Sequence, residues 1–219
     1  MKRLLSPLLG LIWMLFVICG AVVFTLNFKP LYEADVDRYQ LVETTGYSRE
    51  EIMDNYEAMI EYNQVWGPDT LEFPTFPMTE EARYHFVQVK HVFGLIEIGL
   101  PVFAILALVG SVHMKKQGRH TYKLWMGFFS IAIPSAIGIF VAVAWDTFFV
   151  VFHNIVFHNS YWLFDPAKDP VIDILPDGYF FHCMILIIGI VLAAAVGFIL
   201  WYVIGQKKRK ALSQKQEKI

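Results

Sequence analysis

The chain has 219 residues, 56% of them apolar, and a mean hydropathy of +0.47. A soluble domain of this length has no interior large enough for so much apolar surface, which excludes an ordinary water-soluble globule. The formal charge of −2 hides an uneven distribution along the chain and by itself says nothing about nucleic acid, which is not among the expected partners.

In chain order, apolar runs occupy roughly 4–26, 92–112, 124–145 and 184–204. Each is about 20 residues or longer, the length that crosses ~30 Å of hydrocarbon as helix. Backbone polar groups in lipid must be met internally, so the runs are expected to be helices. The resulting division is a first transmembrane helix at 1–26, an outer segment at 27–90 and a second helix at 91–113. A short loop at 114–123 leads to the third helix at 124–145. A second outer loop at 146–182, the fourth helix at 183–204 and a basic tail at 205–219 complete the chain. The first run reads as an anchor and not a cleaved leader, because it exceeds a typical leader core and no small-x-small site follows. Phe16, Val17 and Ile18 precede Cys19, so the Cys19-Gly20 pair is not a lipoprotein processing box.

Lys2, Arg3, Lys115, Lys116, Arg119, Lys123, Lys207, Lys208, Arg209, Lys210, Lys215 and Lys218 place 12 of the 18 basic residues on one side. Eighteen of the 20 acidic residues lie at 33–81 and 146–177, on the other. The positive-inside rule then puts both termini in the cytoplasm and the two long segments outside. Membrane lipids are the expected surroundings, and the basic tail suits anionic headgroups. Cys19 and Cys183 sit within or beside apolar spans and read as packed thiols.

The first outer segment reads as a small mixed α/β cap on an otherwise all-α, four-helix membrane bundle. Arg38-Tyr39-Gln40-Leu41-Val42-Glu43 alternates in strand fashion and ends at the turn Thr44-Thr45-Gly46. Ser48-Arg49-Glu50-Glu51 matches a capping box, and Ile52, Tyr56, Met59 and Ile60 give an amphipathic helix over 49–65. Leu71 to Pro77 is extended but too rich in proline for an interior strand. From Thr79 nothing breaks the chain until Pro101, which predicts one helix starting outside and running into the second span. His85 then lies one to two turns above the membrane entry, with Lys90 and Glu97 sharing another face seven residues apart.

The second outer loop carries His153, His158, Asn159, Ser160, Tyr161, Trp162 and Phe164. If the third span stays helical past Trp145, Asp146 and His153 share a face two turns apart. The density of aromatic residues suits either an interfacial belt or a pocket for acyl chains at headgroup level. Histidines converging on one depth suit general acid–base work. His153 and His158 are five residues apart, which is poor metal-ligand spacing. Asp165, Asp169, Asp173 and Asp177 recur every four residues, but the intervening prolines leave them as solvated loop carboxylates. Ser160 stands near His158 and Asp165 without a nucleophile elbow, and Glu97 is an intramembrane carboxyl with either a functional or a pairing role.

These features together resemble the lipoprotein intramolecular transacylase (Lit) family. The similarity rests on Thr45-Gly46-Tyr47-Ser48, on His85-Phe86-Val87-Gln88-Val89-Lys90 leading into the second span, and on Phe152-His153 through Asn159-Ser160-Tyr161-Trp162-Leu163-Phe164-Asp165-Pro166. The resemblance covers nearly the whole chain and implies a Gram-positive membrane enzyme with an extracellular cap. It implies transfer of the sn-2 acyl chain of a diacylglyceryl-modified bacterial lipoprotein to the α-amino group of its N-terminal cysteine. It also implies catalysis by His85 and His153, with no cofactor. His158 is a bystander or helper. Asp146 or Asn159 is expected to orient an imidazole, with Trp162 and Phe164 among the pocket walls. His85 is assigned as base and His153 as acid or carbonyl donor, an assignment that could be reversed. Two other classes remain open. A serine or histidine lipid hydrolase would need Ser160, and a non-catalytic membrane partner or small transporter would need neither histidine.

Overall fold

The computed structural model describes residues 4–216. Lys2, Arg3 and Lys218, and the side chain of Lys215, which entered the charge count above, lie outside what is described. The elements are α1 (Leu5–Leu26), α2 (Lys29–Arg38), α3 (Leu41–Thr45), α4 (Arg49–Tyr62), α5 (Glu80–Lys116), α6 (Tyr122–Val143) and α7 (Trp145–Phe157). A 3-10 stretch (Pro170–Ile174) and α8 (Asp177–Gln216) follow. Four of these, α1, α5, α6 and α8, are long and apolar enough to cross a membrane, whereas α7 is apolar but has only 13 residues.

No strand occurs among the described residues, which corrects the mixed α/β reading of the cap. Arg38 ends α2, Gln40 takes a left-handed conformation (φ 50°), and Leu41–Thr45 form α3. The alternation that suggested a strand has no neighbouring strand to bond. Helix instead satisfies the backbone, and the Thr44 and Thr45 hydroxyls donate to the Gln40 and Leu41 carbonyls at 2.9 and 2.6 Å.

Helix α4 starts where the capping residues place it, since Ser48 Oγ accepts from the Glu51 N–H at 3.1 Å. It ends at Tyr62, short of the expected residue 65. Helix α5 starts at a cap built from two segments. Thr79 Oγ1 accepts from the Ala82 N–H, while Asp169 accepts from the Thr79 N–H at 2.7 Å and from its hydroxyl at 2.9 Å. Asp169 is therefore a buried structural carboxyl, not a solvated one. The helix passes through Pro101 without ending. The third span ends at Val143, and the chain resumes as helix at Trp145, so Asp146 and His153 do lie two turns apart on one helix. Ala144 (φ −145°, ψ 55°) breaks the chain between α6 and α7, so α7 is a separate short helix.

The described residues fall into two compact units. One comprises 4–21, 99–138 and 187–216. Its helices approach closely at small residues, the packing that replaces hydrophobic drive in lipid. At Gly10 an added Cβ would stand 2.6 Å from Trp125 Cβ and 2.8 Å from that residue's carbonyl carbon, so α1 and α6 meet backbone to backbone. Polar side chains pair across the helices, with Trp13 Nε1 donating to Ser111 Oγ at 3.0 Å and the Ser6 and Thr121 hydroxyls 3.0 Å apart.

The other unit comprises 22–98 and 139–186 and holds the larger core. Tyr32 and Tyr56 stack with ring centroids 3.6 Å apart, both fully buried. The Tyr32 hydroxyl donates to the Ile174 carbonyl, and the Tyr56 and Tyr179 hydroxyls pair at 2.9 Å. Burial pushes the Tyr56 phenol up to about 12, so it stays neutral and available as a donor. Asp35, also fully buried, accepts from Arg38 and from His182 Nδ1.

Candidate active site

Helix α5 carries His85 just after its capped start, and α7 carries His153. The two imidazole centroids are 6.1 Å apart with planes at 31°. Aromatic side chains wall the pair. Phe157 meets His85 edge-on at 4.6 Å and Phe164 does so at 5.5 Å. Phe149 lies 4.1 Å and Trp162 4.6 Å from the His153 ring. His85 is buried at 7% exposure, and its Nδ1 has no hydrogen-bond partner among the described residues. An unmet polar atom in an apolar cage costs about 1–3 kcal/mol, the kind of expense a fold retains where a ligand atom is to arrive.

His153 is oriented differently. Its Nδ1 lies 2.7 Å from the Phe149 carbonyl oxygen one turn earlier on α7. A carbonyl only accepts, so Nδ1 carries the proton, and in the neutral ring Nε2 keeps its lone pair. Burial lowers the imidazole below its ordinary value, while the bond to the Phe149 carbonyl opposes the shift. The ring is thus a neutral base at neutral pH.

The remaining sequence-derived site residues separate. Trp162 and Phe164 stand against the two imidazoles. Asn159 orients the loop, not a ring. Its Nδ2 donates to Gln88 Oε1 at 2.9 Å and to the Phe157 carbonyl at 2.8 Å, and its carbonyl accepts from Trp162 Nε1. Asp146 is exposed in the first turn of α7, and no hydrogen bond joins it to either imidazole among the described residues. The Phe149 carbonyl holds the place expected of it. His158 is exposed and caps α7 in the left-handed conformation (φ 55°). Ser160 is exposed. Among the described residues no group of three or more His, Cys, Asp or Glu could hold a metal ion. Sequence reasoning missed Gln88 and the Phe149 carbonyl as site components. The first was visible at i+3 from His85 and the second at i−4 from His153.

A family model described as "Lipoprotein intramolecular transacylase Lit" matches residues 7–180. The chain belongs to the lipoprotein intramolecular transacylase family. Solved structures agree with the Lit assignment. An in meso structure of the membrane-integral lipoprotein intramolecular transacylase Lit from Bacillus cereus superposes with a TM-score of 0.92 at 27% identity, covering 96% of this chain and 98% of that one. Two further structures of the Bacillus cereus Lit, with an H85R and an H85A mutation, give TM-scores of 0.86 and 0.87 at 26% identity. Each covers 96% of this chain, and they cover 94% and 96% of their own. A search of curated proteins finds no match. Under the Lit assignment the all-helical architecture is that of a membrane protein, and the paired histidines lie within the matched region.

Proposed function

We propose that this chain moves the sn-2 acyl chain of a diacylglyceryl lipoprotein to the α-amino group of the same molecule's N-terminal cysteine, releasing the lyso form. The observation that carries the reading is the pair of imidazoles from separate segments, 6.1 Å apart inside an aromatic wall. In this reading α1, α5, α6 and α8 cross the bilayer, both termini are cytoplasmic, and the histidines lie at the extracellular membrane boundary. Asn159 and Gln88 hold the loop, and Trp162 and Phe164 line the acyl pocket. His158 remains a bystander.

The bond to Phe149 supports the two roles in the reverse of the order first expected from sequence. His153, the more solvated ring, has its Nε2 lone pair aimed away from an N–H that is already donated, and it acts as base. His85, enclosed and neutral, donates to the ester carbonyl oxygen. The amine, with a reference pKa of ~7.7–8.0, attacks in its neutral form. As the N–C bond forms, the nitrogen sheds a proton to His153 Nε2. As the C–O bond breaks, His153 returns that proton to the glyceryl oxygen. Nucleophile and ester belong to one molecule, so no acyl-enzyme is required. Holding them aligned is worth on the order of 7–11 kcal/mol of the barrier. The aromatic wall keeps out the water that would otherwise hydrolyse the ester.

The test is mass spectrometry of a diacylglyceryl lipopeptide incubated with wild type, His85→Ala and His153→Ala. Wild type is expected to give an N-acyl, monoacylglyceryl product of unchanged total mass, and both variants to lose it. Free fatty acid in place of that product from the wild type, or undiminished product from either variant, overturns the reading.

A further inference from the structure

Lys90 and Glu97 take no part in the chemistry above, yet both reach one loop, residues 63–69 after α4. Lys90 Nζ donates to the Gly67 carbonyl at 3.2 Å and to the Pro68 carbonyl at 2.6 Å, and lies 4.5 Å above the Tyr62 ring. Glu97 Oε2 accepts from the Val65 backbone N–H at 2.7 Å, and its second oxygen is buried. Gln64 Nε2 adds a third tie, donating to Asn27 Oδ1 just past α1. Gly67 is packed so that a Cβ would collide with the Glu61 carbonyl oxygen, which fixes the loop's path.

Seven residues separate the two clamps, about 10 Å of helix. The loop is therefore drawn along α5 toward the level of Leu95 and Ile98, which are 74% and 56% exposed. At that depth irregular backbone survives in a bilayer only if its polar groups are met by protein. A carboxyl for the N–H and an ammonium for two carbonyls meet this need. A loop in water could meet the same groups with solvent. Between the clamps stands Trp66, 94% exposed, where an indole gains by placing its ring in apolar surroundings and its N–H among polar groups.

We propose that loop 63–69 is a bilayer anchor, with Trp66 seated in the interfacial layer of the phospholipid and Lys90 and Glu97 holding the backbone at that depth. The proposal rests on the reading of α5 as a bilayer-crossing helix. It sets the height of the chemistry, because His85 is five residues, about 7.5 Å, nearer the start of the same helix than Lys90, among the headgroups.

Full-length protein in phosphatidylcholine–phosphatidylglycerol vesicles tests it by tryptophan fluorescence. Subtracting the Trp66→Phe spectrum from wild type isolates Trp66. That component is expected to lose most of its intensity when phosphatidylcholine brominated high on its acyl chains is included, and little to aqueous iodide. Glu97→Leu, which leaves the Val65 N–H without an acceptor, should shift it to the red and open it to iodide. Glu97→Gln, whose amide oxygen still accepts, should not. The anchor is overturned if iodide quenches Trp66 and brominated lipid does not while Trp13, Trp125 and Trp201 remain lipid-quenched. It is also overturned if the Leu variant matches wild type. Loss of lipid quenching at every tryptophan would instead remove the membrane-crossing reading and the anchor with it, whereas the mass-spectrometric product assay reports on acyl transfer alone.

Discussion

Asn159 Nδ2 donates to Gln88 Oε1 at 2.9 Å, fastening the first turn beyond α7 to α5 one turn past His85. Both imidazoles depend on this fastening for their spacing, since it closes the short path between the helices that bear them. Gln88→Leu should lower stability by about 0.5–1.5 kcal/mol through the lost bond, the Asn159 amide keeping its bond to the Phe157 carbonyl. It should also slow single-turnover acyl transfer by on the order of 10²-fold, the usual consequence of a displacement near 1 Å. Gln88→Glu, which still offers an acceptor, should recover most of the rate. A Leu variant with wild-type turnover would remove Gln88 from the positioning machinery.

The depressed His153 imidazole has a readable pH signature. An unfolded histidine titrates near ~6.5, above the folded ring, so acidification protonates the unfolded chain first. His153 therefore costs no stability above that value and an increasing amount as pH falls below it. Thermal unfolding between about pH 7.5 and about pH 5 should show a smaller acid-induced drop for His153→Gln than for wild type. The transfer rate should keep rising toward about pH 8 as the substrate amine deprotonates.

Tyr56 and Tyr179 share a buried bond, and the Tyr179 hydroxyl also meets the Cys183 thiol. Tyr179→Phe strands the Tyr56 hydroxyl and should cost about 1–3 kcal/mol, whereas Tyr56→Phe leaves the Tyr179 hydroxyl its hydrogen bond with the Cys183 thiol and should cost less. The double variant strands no hydroxyl and should cost clearly less than the sum. Additive losses of unfolding temperature would show that the pair is not coupled.

The buried Asp35 carboxyl has Arg38 and His182 as its donors among the described residues. His182→Ala removes one while Arg38 remains, and should destabilise by about 1.5–3 kcal/mol. Adding Asp35→Asn to that variant should restore part of the loss, because an amide tolerates burial better than a carboxylate. No restoration would place the effect in lost packing.

Much of this was legible in the residues. Hydropathy alone marked α1, α5, α6 and α8, and the run from Thr79 to Pro101 without a breaker foretold that α5 begins well before its apolar part. His85 and His153 were singled out by their positions in the Lit motif, since a histidine near an apolar boundary is by itself more often a bland polar residue than a functional one. What stayed hidden depended on tertiary partners. Residues 38–43 alternate, but with no strand beside them the helix was the better home for their backbone groups. Asp169 looked solvated because its partner, Thr79, is ninety residues away. The break at Ala144 carries no glycine or proline to announce it. The orienting group of His153 is a main-chain oxygen, which no side-chain inventory can reveal.

That last feature has a mechanical consequence. Because the acceptor for Nδ1 belongs to the same helix turn as the ring, the reactive nitrogen takes its alignment with it wherever α7 goes. Admitting a bulky two-tailed molecule requires the aromatic wall to part, and a ring steadied by a carboxylate on another segment would lose its tautomer at that moment. In the proposed reaction, His153 would keep its tautomer through any movement that α7 makes as a unit.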